Sequence, residues 1–126
     1  MMKILVTAAG PKPAKDKVGY ITNIAKRLGA EIVALHISKG DDQTQGQETL
    51  NIFAEAGKQA NVNVAKIFKK GDIISNIIEA ADEESVNLII MGATPDKAAA
   101  EWISTGVMEK AKIPVVVIPY EFRKTL

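Results

Sequence analysis

The chain contains no cysteine and only one histidine among its 126 residues. The absence of cysteine excludes disulfides, thiolate zinc sites and a thiol nucleophile. A single histidine, His36, lacks the partners that a metal site or a catalytic triad would require, so we expect it to be a structural residue. These absences fit a cytoplasmic protein, which is the localisation that we expect.

An excess of charge of either sign is also missing. Lysine and arginine total 16 residues, and aspartate and glutamate total 15. Proteins that bind nucleic acid or an anionic membrane usually present a strongly basic surface, so we expect neither partner. The apolar runs are far shorter than the ~20 residues that span a bilayer. No signal-peptide pattern precedes the first apolar run at Ile4.

Five short apolar runs, separated by longer segments, indicate the strands of the fold. They are Ile4–Val6, Ile32–Ile37, Val62–Phe68, Leu88–Met91 and Val115–Ile118. Four of them are nearly continuous in aliphatic residues, which is typical of parallel strands buried on both faces. In the third run, Val62 and Val64 alternate with asparagines, which favours a half-exposed edge strand.

The segments between these runs have helical periodicity. Three apolar helix faces are predicted, formed by Val18, Ile21, Ala25 and Leu28, by Leu50, Phe53, Ala54 and Gly57, and by Ile74, Ile77, Ile78 and Ala81. Gly29 predicts the end of the first helix, and Asp72 predicts the N-cap of the third. A fourth helix is predicted over roughly residues 105–112, before Pro114. The polar segment 38–47 is predicted to be a surface loop.

The alternation of strands and helices predicts one α/β domain over residues 1–126. We expect a three-layer α/β/α sandwich with a five-stranded parallel sheet, doubly wound as in flavodoxin-like and Rossmann-like folds. The flavodoxin-like strand order, with a reversal beside the first strand, is the one expected. Ligands of such sheets bind at the carboxyl ends of the strands, where the winding reverses. The loops 8–16 and 92–104 should therefore form a crevice.

The segment that follows the fourth strand carries the strongest functional signal. Small and hydroxyl-bearing residues follow Gly92 and recur at Ser104 and Thr105, just before the predicted fourth helix. Glycines allow a phosphate to approach the backbone closely, and N–H groups at a helix N-terminus favour anions. The same residues also suit an ordinary strand exit and an N-cap. The pattern alone leaves both interpretations open.

Lysines stand near the same predicted crevice. Lys97 lies inside the loop after the fourth strand, and Lys12, Lys15 and Lys17 follow the first strand. They are either cations that attract an anionic ligand or solvated surface lysines. If phosphates bind, we expect Lys97 to contribute most.

Several short segments recur in a characteristic order along nearly the whole chain. They are KILV from Lys3, AKRLGAEI from Ala25, LHI from Leu35, GD from Gly71, NLIIMG from Asn87 and IPVVVIP from Ile113. In their order and spacing they resemble the universal stress protein family, within the adenine nucleotide alpha-hydrolase-like superfamily. The resemblance implies a homodimer through the last strand, at Val115, Val116 and Val117. It also implies a crevice for ATP or another adenine nucleotide.

The resemblance also indicates which residues would contact a nucleotide. Members that bind it carry G-x2-G-x9-G-[S/T] after the fourth strand and an acidic residue after the first strand. Together with the loop position of Lys97, the candidate nucleotide contacts are Ala8, Ala9, Ile37, Met91, Gly92, Thr94, Lys97, Ser104, Thr105, Gly106 and Val107.

The chain departs from that motif at several positions. Gly92 matches the first glycine, but Pro95 replaces the second, Thr105 replaces the third, and Gly106 comes one place late. Ala9 stands where the acidic residue would be. Proline lacks the N–H group that a glycine would offer. Each lost hydrogen bond weakens binding by about 0.5–1.5 kcal/mol, so the departures predict weak or absent nucleotide binding.

The function implied by the resemblance is a non-enzymatic, dimeric binding or signalling module of the stress response, with an unknown protein partner and a degraded ATP-binding loop. One alternative is an ATP-binding member that acts as a nucleotide-dependent switch. A second is an enzyme with nucleotidyl-transfer or hydrolase chemistry, although the H-x-G-H-type turn of such enzymes is missing. No metal site and no catalytic residue are expected.

Overall fold

Five parallel strands form one sheet with helices on both faces, as the apolar runs predict. The computed structural model describes residues 1–93 and 96–122, without the side chain of Lys97. The strands are β1 Lys3–Thr7, β2 Glu31–Ser38, β3 Val64–Lys70, β4 Leu88–Gly92 and β5 Val115–Ile118. The helices are α1 Pro11–Leu28, α2 Thr44–Ala60, α3 Ile73–Glu83 and α4 Lys97–Lys110. Within the described ranges, no helix is both long enough and apolar enough to cross a bilayer.

The strand order is β3-β2-β1-β4-β5. Strands β2 and β3 follow one another on one side of β1. The chain then crosses back and places β4 and β5 on the other side of β1. The reversal therefore lies beside β1, as expected. The order is that of the first five strands of a Rossmann fold, 3-2-1-4-5, and the flavodoxin-like order that was expected, 2-1-3-4-5, is wrong. The side on which a helical crossover adds its next strand depends on tertiary packing, and no local sequence pattern specifies it.

Side chains of successive strand residues point to opposite faces of the sheet, and each face has its own core. Ile4 and Val6 pack with Ile21 and Phe53 beneath α1 and α2. Leu5 belongs to the core beneath α3 and α4. Burial on both faces explains why β1 is a continuous apolar run.

Helix α1 begins at Pro11, so the loop after β1 is only residues 8–10 and the expected loop 8–16 is wrong. Proline is well suited to the first turn because the N–H group it lacks would have no partner inside the helix. The predicted stop at Gly29 is confirmed, with φ at +63°. Leu28, which was expected on the buried face, is exposed.

Helix α2 begins at Thr44, inside the segment that was expected to be a loop up to residue 47. The helix ends at Ala60, and Asn61 caps it in the left-handed conformation with φ at +58°. Strand β3 consequently begins at Val64 instead of Val62. The prediction that β3 is an edge strand is confirmed.

The predicted N-cap of α3 is confirmed. The carboxylate of Asp72 accepts hydrogen bonds from the Ser75 backbone N–H, at 2.8 Å, and from the Ser75 hydroxyl, at 2.7 Å. Both bonds lower the pKa of Asp72 below its ordinary value, and the bond from the hydroxyl has the larger effect. The cap places the N-terminus of α3, and with it Ile73, at the carboxyl edge of the sheet.

Candidate functional site

The carboxyl ends of β1 and β4 lie side by side at the reversal of the sheet. Thr7 pairs with Met91, so the loops that follow these two strands leave the sheet as neighbours. Helix α1 then crosses toward β2, and α4 crosses toward β5. Because the two helices diverge, a gap opens above the strand ends, which is where doubly wound sheets bind ligands.

A cavity of about 70 Å³ occupies this gap on the α3 and α4 face. We call it the switch-point crevice. Five of the predicted site residues line it, namely Ala8, Ala9, Ile37, Met91 and Gly92. The other lining residues are Thr7, Leu35, Ile73, Ile77 and Ile103. The walls are almost entirely aliphatic, so the crevice suits a flat, weakly polar ring better than a charged group.

Ile73 and Ile103 are lining residues that sequence reasoning did not single out as site residues. Ile73 directly follows the N-cap Asp72, and a helix that begins at the carboxyl edge places its first turn beside the ligand site. That signal was present in the sequence. Ile103 could not be found in this way, because its position depends on where α4 begins.

Helix α4 begins at Lys97, two turns before the predicted start near residue 105. Four predicted site residues therefore lie inside the helix, at Ser104, Thr105, Gly106 and Val107. The expectation that Ser104 or Thr105 caps the helix is wrong. The run Ala98–Ala100 is a strong helix former and extends the helix toward the strand.

The structure does not bring these four residues to the crevice. The Ser104 hydroxyl donates to the Ala100 carbonyl at 2.8 Å, and Thr105 faces outward. Val107 is fully buried in the core. A Cβ atom on Gly106 would lie 2.4 Å from Ile74 Cδ1, so this glycine allows α4 to approach α3. Gly106 has a packing role in this fold.

The N-cap of α4 is Asp96, which sequence reasoning missed. Its carboxylate accepts hydrogen bonds from the N–H groups of Ala98, at 3.0 Å, and Ala99, at 3.2 Å. These are donors that an anionic ligand would use at a helix N-terminus. The Asp96 carboxylate, which is negatively charged like a phosphate, already accepts hydrogen bonds from both of these N–H groups. An aspartate directly before a run of helix formers is the signal that could have found this cap.

Two predicted contacts cannot be placed. Thr94 and Pro95 lie outside the described residues, and so does the side chain of Lys97. The predicted contributions of Thr94 and Lys97 to nucleotide binding, and the predicted effect of Pro95, therefore remain predictions.

The lysines that follow β1 differ from one another. Lys12 is exposed and pairs with Asp16 at 3.3 Å, and Lys15 is exposed as well. Lys17 is only 3% exposed and lies within α1. It is therefore neither a solvated surface lysine nor a loop residue. Its Nζ donates to the Tyr120 carbonyl at 3.1 Å.

His36 links β2 to the loop after β1. Its side chain is buried, and Nδ1 lies 3.1 Å from the Ala8 carbonyl oxygen. The imidazole also stacks on Phe68, with 6.1 Å between the ring centroids. These contacts fix the backbone of Ala8 at the rim of the crevice. Across residues 1–93 and 96–122, no group of three or more acidic or histidine side chains could hold a metal ion.

The fold and the crevice define a class of α/β domains that bind small ligands at the carboxyl ends of their strands. A family model described as the universal stress protein family matches residues 1–119. The chain therefore belongs to the universal stress protein family.

Individual relatives agree with this assignment. A universal stress protein of Methanocaldococcus jannaschii is 25% identical, over 92% of this chain and 81% of its own length. Among solved structures, a universal stress protein in complex with cAMP superimposes with a TM-score of 0.79 at 16% identity, covering 95% of this chain and 98% of its own. A universal stress protein from Archaeoglobus fulgidus in complex with dAMP superimposes with a TM-score of 0.75 at 19% identity, covering 94% of this chain and 98% of its own. At these identities the superpositions show the fold.

Proposed function

We propose that this chain is a non-enzymatic, dimeric binding module of the stress response, whose switch-point crevice takes an adenine ring but holds a triphosphate weakly or not at all. The observation that carries the proposal is the Asp96 carboxylate on the N-terminal donors of α4. The apolar walls of the crevice suit the ring, and the structural relatives in complex with cAMP and dAMP support an adenine ligand.

Several residues at the site support weak retention of phosphates. Ala9 provides no side-chain oxygen for a ribose or a base. Gly106, the nearest equivalent of the motif's third glycine, packs against Ile74 instead of facing the crevice. Asp96 adds electrostatic repulsion toward a polyphosphate. The alternative of an ATP-dependent switch draws its support from Gly92, which keeps the first glycine of the motif at the crevice.

Thermal unfolding with ligands tests the proposed ligand preference. A ligand at about 100 times its dissociation constant stabilises the folded state by about 2.7 kcal/mol. We expect millimolar AMP or adenosine to raise the melting temperature more than the same concentration of Mg-ATP does. A larger shift with Mg-ATP than with AMP would contradict weak triphosphate binding and favour the nucleotide-dependent switch.

The proposed dimer is supported by the difference between the two edge strands. Edge strand β3 carries Lys66, Lys69 and Lys70, and lysines on an edge oppose pairing with another chain. Edge strand β5 reads VVVI and carries no charge, with Val116 44% and Val117 39% exposed. Self-pairing of β5 in a symmetric dimer would satisfy its open backbone groups in both copies.

Substitution on the two edges tests the dimer. We expect the wild-type chain to be a dimer by light scattering at tens of micromolar, and Val117→Lys to convert it to a monomer by placing charge on the pairing edge. Ala65→Lys, on the exposed opposite edge, is the matched control and should remain dimeric. A monomeric wild type would refute the proposed interface.

A further inference from the structure

Lys17 is a buried lysine at the carboxyl edge of the sheet, where the proposed function does not yet use it. It lies on α1 and is 3% exposed. Burying an ammonium group is costly unless partners compensate its charge. A buried ammonium whose partners hold it beside a ligand crevice is well placed to meet an anionic ligand.

The side chain of Lys17 runs past the strand end that forms the crevice. A Cβ atom built on Gly92 would lie 3.4 Å from both Cδ and Cε of Lys17. Since Nζ is one bond of about 1.5 Å beyond Cε, the ammonium stands within about 5 Å of that point. Lys17 also lines a small cavity of about 10 Å³ that shares Ala8, Ala9 and Gly92 with the switch-point crevice. The ammonium and the crevice are therefore separated only by the strand-end backbone.

The chain segment 119–122 holds the ammonium in this place. The Tyr120 carbonyl accepts the hydrogen bond from Nζ, and the Tyr120 ring centroid lies 5.5 Å from Nζ. The segment is fixed on α1 by Phe122, whose ring meets the Tyr20 ring edge-on at 4.8 Å. A charged oxygen is a stronger acceptor for an ammonium than a neutral carbonyl oxygen. An anionic ligand at the strand ends could therefore take the place of the Tyr120 carbonyl.

We propose that Lys17 binds the phosphate monoester of an adenosine monophosphate-type ligand in the switch-point crevice, and that the Tyr120 carbonyl holds the ammonium until the ligand arrives. This inference rests on the proposed function, because it places the adenine ring in the crevice. It assigns the single phosphate to the α1 side of the strand ends. Asp96 disfavours further phosphates at the N-terminus of α4.

Calorimetric titration with AMP and with adenosine tests whether the Lys17 ammonium binds the phosphate, because the two ligands differ only in that group. We expect the wild-type chain to bind AMP about tenfold or more tightly than adenosine, the ratio that a hydrogen bond to a charged group provides. Lys17→Met and Lys17→Gln should bring this ratio close to one and leave adenosine affinity unchanged. Lys15→Met, on the exposed side of the same helix, is the matched control and should keep the wild-type ratio.

Inorganic phosphate provides a probe that does not require the adenine site. We expect it to raise the melting temperature of the wild type and of Lys15→Met, but not of either Lys17 variant. Adenosine binding with an AMP preference unchanged in the Lys17 variants overturns this inference and leaves the proposed function standing. Stabilisation by phosphate that depends on Lys17, without any adenosine binding, overturns the AMP-type ligand together with the adenine site and leaves only an anion site at Lys17. The absence of both effects overturns both.

Discussion

Replacing Asp96 with glycine is expected to raise the affinity for Mg-ATP by about tenfold or more, because a charge-assisted hydrogen bond contributes about 1.5–3 kcal/mol. The substitution removes a carboxylate that repels phosphates. It also frees the N–H groups of Ala98 and Ala99, which the carboxylate now engages. Glycine is tolerated at an N-cap with a loss of only a few tenths of a kcal/mol, so the helix should persist.

A second substitution separates the two effects. Asp96→Asn removes the charge but keeps a side-chain oxygen that can accept from Ala98 and Ala99, since asparagine is also a good N-cap residue. Calorimetric affinity for Mg-ATP should therefore increase from the wild type to Asp96→Asn and again to Asp96→Gly. An equal gain in the two variants would assign the whole effect to charge.

A matched control removes one acidic charge from the other end of the same helix. Glu109 is exposed near the C-terminus of α4, so Glu109→Gln changes the net charge by the same amount at a distance from the crevice. Its Mg-ATP affinity should equal that of the wild type. If Asp96→Gly folds normally and binds Mg-ATP no more tightly than Glu109→Gln does, Asp96 is not what weakens the site.

Truncating Phe53 to alanine is expected to lower the free energy of unfolding by about 3–5 kcal/mol, the usual cost of removing a buried aromatic side chain. Phe53 is almost fully buried, and it packs in the core between α2 and β1, with Ile4, Val6 and Ile21. Domains of this kind are stable by only about 5–15 kcal/mol. The substitution should therefore remove a large part of the total stability.

Urea denaturation checks this result. The midpoint should move to lower urea concentration with little change in slope, which identifies a loss of stability in the folded state. Phe53→Leu keeps most of the apolar volume and should lose much less stability. A loss below about 1 kcal/mol in Phe53→Ala would mean that the core under α1 and α2 collapses around the missing ring.

Local sequence features predicted the architecture well because the apolar pattern of a strand and the capping of a helix depend on residues that are close together in the chain. A strand buried on both faces must be apolar throughout, so β1, β2 and β4 were visible as runs. The run at β5 was found as well, but its burial on both faces was wrong, because β5 is an edge strand with Val116 and Val117 exposed. The ends of helices that use a specific residue, Gly29 and Asp72, were also found correctly. The helix starts at Pro11 and Thr44 were missed because first turns that contain proline or polar residues resemble loops. The start at Lys97 was missed although Asp96 and the alanines after it signalled it.

The candidate site was predictable in location but not in composition. Parallel strands bring their carboxyl ends to one edge, so the neighbourhood of Ala8 and Gly92 follows from chain order and from the reversal beside β1. The role of Gly106 depends on its contact with Ile74, and that of Asp96 on where α4 begins. Both are consequences of how α4 docks on the sheet.

The sequence by itself determined the family, the parallel α/β architecture and the absence of thiol chemistry, because these depend on residue types and their order. Only the tertiary structure decided the strand order, the apolar lining of the crevice and the burial of Lys17. The physical reason is that Lys17 lies beneath residues 119–122, more than a hundred positions away in the chain. No local pattern distinguishes a lysine that will be covered from Lys15, which remains in solvent.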